Sequence, residues 1–384
     1  MLIKYNPMKH PLRSLLHLFV AKKKSPQLEP GSELPDEICR QFSLAELKAA
    51  TNNFHPDSIF RTIHGCSTLY KGIIDYGTVV FIKRIYSSSK PNEVEMLCQL
   101  HHPHLVSLIG FCLLEKQTLL VFEYMSRGSL ADFLFGGGED FVPLAWKRRL
   151  QICIGAARGL HYLHTGAKRS VIHRDIRTSN ILIDEQWSSK LSDFDLSKLG
   201  PRSMSKALIR IDSRVLGTLG FMDPEYAMSG ELTEKSDVFS FGVTLFVVLF
   251  GKAAIDRSLP TNQSYILDWA KESLREGTIY HAIDPQLKGR VAPECLNKYL
   301  EIASSCVHGR ANERPAMGEV EVTLELALEL QNRADAEMEA FNPSGEYLYE
   351  EALFSAFLRN FSGLDSKYTS LLSYSDSSSS NSSS

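Results

Sequence analysis

No C-x-x-C pair occurs among the seven cysteines, Cys39, Cys66, Cys98, Cys112, Cys153, Cys295 and Cys306. Their number is odd and their spacing irregular, so neither a zinc site nor a disulfide framework is indicated. Reduced, packed thiols in a cytosolic setting are expected instead. No apolar stretch reaches the roughly 20 residues of a membrane-spanning helix. The longest, Val238 to Phe250, has thirteen residues and reads as a buried core helix. No charge of one sign dominates: the net charge of −3 and pI near 6.5 argue against a nucleic-acid-binding surface spread over the molecule. Internal repeats are absent, and Leu2 departs from the myristoylation pattern.

What is present is an ordinary globular composition, 43% hydrophobic and 23% charged over 384 residues, enough for about two to three domains or lobes. Residues 1–40 form a basic arm punctuated by proline and lysine, with six basic and no acidic residues before Ser25. With Leu12, Leu15, Leu16, Leu18 and Phe19 it reads either as a frayed tail or as a segment that lies on an anionic membrane surface. At the other end, 334–384 closes in a run where ten of the last fifteen residues are serine, a composition that cannot build a core.

Between these ends, Gly77 to Arg84 and Leu119 to Tyr124 are rich in β-branched and apolar residues and read as strands. From Ala145 to His164 the apolar residues fall on one helical face, and helical patterns over 235–250, 293–307 and 316–333 follow. Strands first and helices afterwards predict an α+β architecture, with a small β-rich lobe over 41–125 and a larger helical lobe over 126–333.

The chemistry-bearing residues come in a fixed order. Lys83 sits in a predicted strand and Glu93 near the start of a short helix. VIHRDIRTSNILID carries His173, Arg174, Asp175 and Asn180. SDFD follows with Asp193 and Asp195, and FMDPEY carries Glu225. This order and spacing resemble the protein kinases, whose catalytic loop and metal-binding Asp-Phe turn carry the same residue types. FSLAELKAATNNF, HHPHLVSLIGFC, LTEKSDVFSFGV and IDPQLKG resemble more narrowly the kinase domains of plant receptor-like kinases, nearest the malectin-domain (FERONIA-type) group.

The resemblance implies a bilobal kinase fold and, in an active member, ATP and Mg²⁺ as cofactors, with transfer of the γ-phosphate to protein hydroxyls. Such transfer needs positioning and charge cancellation more than covalent help. Asp175 would accept the substrate hydroxyl proton, Asn180 and Asp193 would hold magnesium, and Lys83, steadied by Glu93, would pair with phosphate oxygens. Arg177 stands where Ser/Thr-type kinases usually carry lysine and exchanges a compact ammonium for a broad fork. Glu123 and Met125 fall at ATP-binding positions. Glu225 and Arg314 match a buried ion pair, and Asp237 matches a helix-borne anchor. The resemblance also implies a cytoplasmic protein, peripheral at the plasma membrane if the arm binds there, with receptor kinases or other signalling proteins as partners and no nucleic acid.

Four departures stand out, and three of them, Asp195, the loop positions and Phe81, converge on the nucleotide. Asp195 replaces the glycine after Asp-Phe, removing its freedom of φ and setting a like charge beside Asp193. At about 5 Å and an effective dielectric near 20, two carboxylates repel by roughly 3 kcal/mol. Thr62, His64 and Ser67 stand at the three glycine positions of the phosphate loop. Phe81 replaces an alanine that lines the adenine pocket. Pro91 suits a first helical turn, which puts Glu93 at a helix start where it serves the helix dipole as readily as Lys83.

Two functions remain open. One is a pseudokinase or very weak kinase acting as an adaptor for receptor kinases, with Phe81 filling the adenine slot. The other is an active Ser/Thr protein kinase. In either, Ser203, Ser205, Ser213 and Thr218 are candidate phosphorylation sites facing Arg174. Hydrolysis through a Ser/His pair is set aside, because His173 and Asp175 belong to the loop motif.

Overall fold

A computed structural model describes residues 39–63, 67–86, 91–137, 142–200, 209–210, 215–260, 263–341 and 348–349. Six strands form the first lobe: β1 (Arg40–Gln41), β2 (Ile59–Ile63), β3 (Ser67–Ile74), β4 (Thr78–Ile85), β5 (Leu108–Leu114) and β6 (Gln117–Glu123). They pair in the order β1-β5-β6-β4-β3-β2, with β1 parallel to β5 and the other neighbours antiparallel.

On β4 the alternation of side chains places Phe81 and Lys83 on one face, opposite Lys71 and Leu69 of β3. Two helices flank the sheet. The first, α1 (Leu44–Ala50), starts at a Ser43/Glu46 capping box, and the second, α2 (Pro91–Cys98), opens on Pro91 as its sequence predicts. Behind the sheet, Phe42, Leu47, Tyr70, Val80, Ile82, Leu119 and Val121 form a separate buried cluster.

The second lobe is helical: α3 (Leu130–Phe135), α4 (Trp146–His161), α5 (Pro224–Ser229), α6 (Glu234–Phe250), α7 (Ile266–Arg275), α8 (Ile279–Ala282), α9 (Pro293–Cys306) and α10 (Met317–Phe341). Helix α6 is apolar around its whole circumference, and every residue from Ser236 to Phe250 is buried, so the thirteen-residue apolar stretch is a core helix. Gly251 ends it at φ 63°, where its missing Cβ avoids Asp284. Arg149 is wholly buried on α4, yet its charge is met by Asp284 at 2.6 Å and by the carbonyls of Leu144 and Val248.

Helix α10 runs eight residues past position 333, where the sequence reading placed the start of the C-terminal tail. Tyr349 returns to this lobe: its N–H donates to Gly289 O at 2.7 Å and its hydroxyl to Asp335 Oδ1 at 2.9 Å. Residues 1–38, which hold most of the basic arm, and the serine run lie outside the described residues. No helix among the described residues is long and apolar enough to cross a membrane.

Candidate active site

Helix α6 fixes the catalytic loop from below. Its Asp237 carboxylate, fully buried, accepts the backbone N–H groups of His173 and Arg174, each at 2.7 Å, and meets His164 Nε2 at 3.0 Å. A carboxylate that receives two backbone donors replaces its lost hydration and holds the loop in one register. Arg174 adopts φ 71°, an uncommon conformation for a side-chain-bearing residue. His173 continues the network, with Nε2 3.0 Å from Ser192 O and its ring 5.1 Å from that of Phe194.

On this base Asp175 is held from three directions. Arg177 Nε donates to Oδ2 at 3.1 Å, Asn180 Nδ2 donates to Oδ2 at 2.9 Å, and the Thr218 hydroxyl donates to Oδ1. Arg177 thus keeps contact with the carboxylate despite its broader head. Thr218, read from sequence as a phosphorylation candidate, is engaged with Asp175. Asn180 Nδ2 also donates to Asp175 O at 2.8 Å, leaving its amide oxygen as the remaining ligand atom.

Between the lobes lies a cavity of about 440 Å³ whose lining includes Phe60, Arg61, Phe81, Lys83, Phe122, Glu123, Met125, Asn180, Asp193 and Asp195. Phe81 is buried on its wall, with ring centroids 4.8 Å from Phe60 and 4.9 Å from Tyr124. Phe81 thus packs in an aromatic row with Phe60 and Tyr124 on the wall of the cavity, which is open beside it. Glu123 is tied down on both oxygens, accepting the Ser107 N–H at 2.6 Å and pairing with Lys190 at 2.6 Å.

The inner end of the cavity carries a three-charge cluster. Lys83 Nζ lies 2.9 Å from Asp193 Oδ1 and 2.7 Å from Asp195 Oδ1. Burial works against the Lys83 charge, but the two carboxylates override it and hold its pKa above the usual lysine value. Burial likewise opposes ionisation of Asp193, and Lys83 prevails, holding that carboxyl below its ordinary range. The repulsion expected between Asp193 and Asp195 is thus offset by a cation placed between them. Asp193 adopts φ 65° while Asp195 does not enter the left-handed region, so this turn places no demand for glycine at 195.

Several expectations fall elsewhere. Thr62 pairs with Thr68 and lies exposed on β2, and Ser67 is buried at the start of β3; neither lines the cavity. His64, Ser203, Ser205, Ser213 and the side chain of Glu93 lie outside the described residues. Arg174 donates to Leu196 O at 3.1 Å and to the Tyr226 hydroxyl at 2.6 Å. The buried ion pair assigned to Glu225 and Arg314 is corrected. Arg314 grips Asp223 with two bonds of 2.7 and 2.8 Å, both side chains being buried, whereas Glu225 is half-exposed at 4.0 Å.

Asn180 and Asp193 offer the oxygen donors that magnesium prefers, and a cavity of this size accommodates a nucleotide, so the residues present fit both groups. Residues 68–324 match the family model described as protein tyrosine and serine/threonine kinase. Among curated proteins of Arabidopsis thaliana, the chain is 46% identical over 310 residues to receptor-like protein kinase ANXUR2, covering 79% of this chain and 35% of that protein. It is 46% identical over 312 residues to receptor-like protein kinase FERONIA, at 79% and 34% coverage, and 44% identical over 315 residues to receptor-like protein kinase THESEUS 1, at 80% and 36%. The chain belongs to the plant receptor-like kinase family. It spans about a third of the length of these relatives.

ATP and magnesium are the cofactors of typical members of this kinase family. Three features of the site were not legible in the sequence. The Lys83–Asp195 pair joins residues far apart in the chain, and the resemblance implies Glu93 as the partner of Lys83. The Thr218–Asp175 bond joins residues 43 positions apart. Phe60 and Arg61 sit beside the phosphate-loop positions, and only the register of β2 on β3 brings them to the cavity.

Proposed function

We propose that this chain is a weak Ser/Thr-type protein kinase that binds ATP·Mg²⁺ between its lobes and works in a receptor-kinase assembly. The observation that carries this reading is the Asp175 carboxylate, held by Arg177, Asn180 and Thr218, one hydrogen bond from an open cavity that contains Asp193. When bound, the magnesium nucleotide supplies the transferable phosphoryl group and divalent charge on its phosphates.

The protein's own groups then act as follows. Asp175 orients a substrate hydroxyl and takes its proton, its second oxygen being fixed by Asn180 and Arg177. Thr218 holds the segment that follows the Asp-Phe turn against the same carboxylate. Arg177 places a guanidinium beside the site of transfer. Glu123 and Met125 form the outer wall for the base, with Phe81 and Phe60 offering aromatic faces beside it. Asn180 and Asp193 would hold the metal. Receptor kinases are the proposed partners and the cytoplasmic face of a membrane the proposed location, the basic arm contributing contact with anionic lipid.

A second reading, an adaptor that binds partners without transferring phosphate, is favoured by one observation: Lys83 is held by Asp195 and Asp193, so its charge is already matched. Labelled γ-phosphate transfer to a serine/threonine peptide library by the full chain separates the two. Slow transfer that is lost in Asp175→Asn supports the kinase. Nucleotide binding without transfer supports the adaptor.

A further inference from the structure

Among the described residues, the charged lining of the cavity consists of Arg61, Lys83, Glu123, Asp132, Asp193 and Asp195, two cations against four carboxylates. Glu123 is neutralised by Lys190 at 2.6 Å, and Asp132 accepts the Ser129 N–H and hydroxyl, each at 2.8 Å. Arg61 is exposed on β2. At the inner end, among the described residues, Lys83 stands between two carboxylates, and nearby Arg177 is already paired with Asp175. Lys83 is 6% exposed, so its charge faces protein and cavity and not bulk water.

We infer that Asp195 is a positioning residue of the nucleotide site: it serves as an ionic partner of Lys83 and makes nucleotide binding strictly dependent on a divalent cation. This rests on the proposed ATP site. A free nucleotide triphosphate entering the cavity meets a net negative inner end, and Lys83 must abandon one of two bonds of 2.7 and 2.9 Å to reach a phosphate oxygen. A divalent ion alters both conditions. It cancels charge on the phosphates, and it offers the carboxylates a stronger counter-charge than Lys83, releasing the ammonium toward the nucleotide. The side chain of Asp195 is 37% exposed, which leaves it able to exchange partners, whereas that of Lys83 is 8% exposed.

The test is calorimetric titration of the full chain with ATP at constant ionic strength, in MgCl₂ and in EDTA, beside Asp195→Asn, Glu93→Gln and Asp57→Asn. Asn has the shape of Asp without its charge, and Asp57 is an exposed carboxylate outside the cavity that reports the effect of net charge alone. The original chain is expected to bind ATP at least about 100-fold more tightly with magnesium. Asp195→Asn is expected to strengthen metal-free binding by about tenfold, the loss of roughly 1.4 kcal/mol of repulsion, and so to narrow that ratio. Asp57→Asn should match the original chain, and Glu93→Gln should shift the ratio less than Asp195→Asn.

Equal binding with and without metal by the original chain overturns the inference. So does an unchanged ratio in a folded Asp195→Asn chain, or a larger shift in Glu93→Gln. These outcomes leave the ATP site standing. Failure of every variant to bind ATP·Mg²⁺ overturns the ATP site and the inference with it.

Discussion

The catalytic loop and the nucleotide face lie side by side but are built on different principles. The loop rests on helix α6, and its polar groups are met by short bonds within the second lobe: Asp237 to His173 and Arg174, Asp175 to Asn180 and Arg177. The nucleotide face joins β2, β4 and the Asp-Phe turn, which belong to different lobes, and its central ion cluster links residues 110 positions apart. The first is closed by hydrogen bonds within the protein. The second is a balance of charges that a ligand can redistribute. The departures Asp195 and Phe81 line the cavity, whereas the departure at Arg177 lies in the loop and is paired with Asp175.

The deepest test of this contrast is Asp237→Ala. It leaves two buried N–H groups without acceptors and should cost about 4 to 5 kcal/mol, read by urea unfolding of the full chain. Next, Arg314→Leu strands the buried Asp223 carboxylate and should cost about 3 to 4 kcal/mol, whereas Glu225→Gln should stay below about 1 kcal/mol. Equal effects would restore Glu225 as the main partner of Arg314.

On the nucleotide face the effects shrink. Phe81→Ala removes one ring from a wall that already borders open space, so about 1 to 3 kcal/mol of stability is expected to be lost. Its ATP·Mg²⁺ affinity should stay within about tenfold of the original. A gain from no binding to micromolar binding would show that the ring blocks the slot after all.

The smallest effect is in pH. The Asp193 pKa is lowered in the folded chain, so its contribution is present above the ordinary carboxylate pKa and is lost as pH falls through the depressed value. The Lys83 pKa is raised, so its contribution is complete below the ordinary lysine pKa and fades as pH rises through the higher one. Between those limits the pair should add no slope to stability. Asp193→Asn should flatten the acid limb of thermal melting and leave the neutral region unchanged in slope.

The bilobal α+β fold was legible because strands and helices segregate along the chain and α6 is apolar all round. The grouping of Asp175, Arg177 and Asn180 was legible for a related reason: the three lie within six residues, and local spacing carries their geometry. Contacts across long separations were not. Nothing in the spacing of Lys83 and Asp195 announces a 2.7 Å pair, and an exchange of Glu225 for Asp223 two residues away is invisible without helix α5 placing each side chain. The packing of Phe81 against Phe60 and Tyr124 is likewise a contact that their spacing along the chain does not announce.

The central claim is that the altered nucleotide face still takes ATP·Mg²⁺. Calorimetric titration of the full chain with ATP in magnesium buffer, beside Asp193→Asn, tests it most directly. The account predicts saturable binding with one site, lost or weakened at least about 100-fold in Asp193→Asn, a change of about 2.7 kcal/mol. Absence of binding by the original chain, or equal binding by the variant, would contradict it.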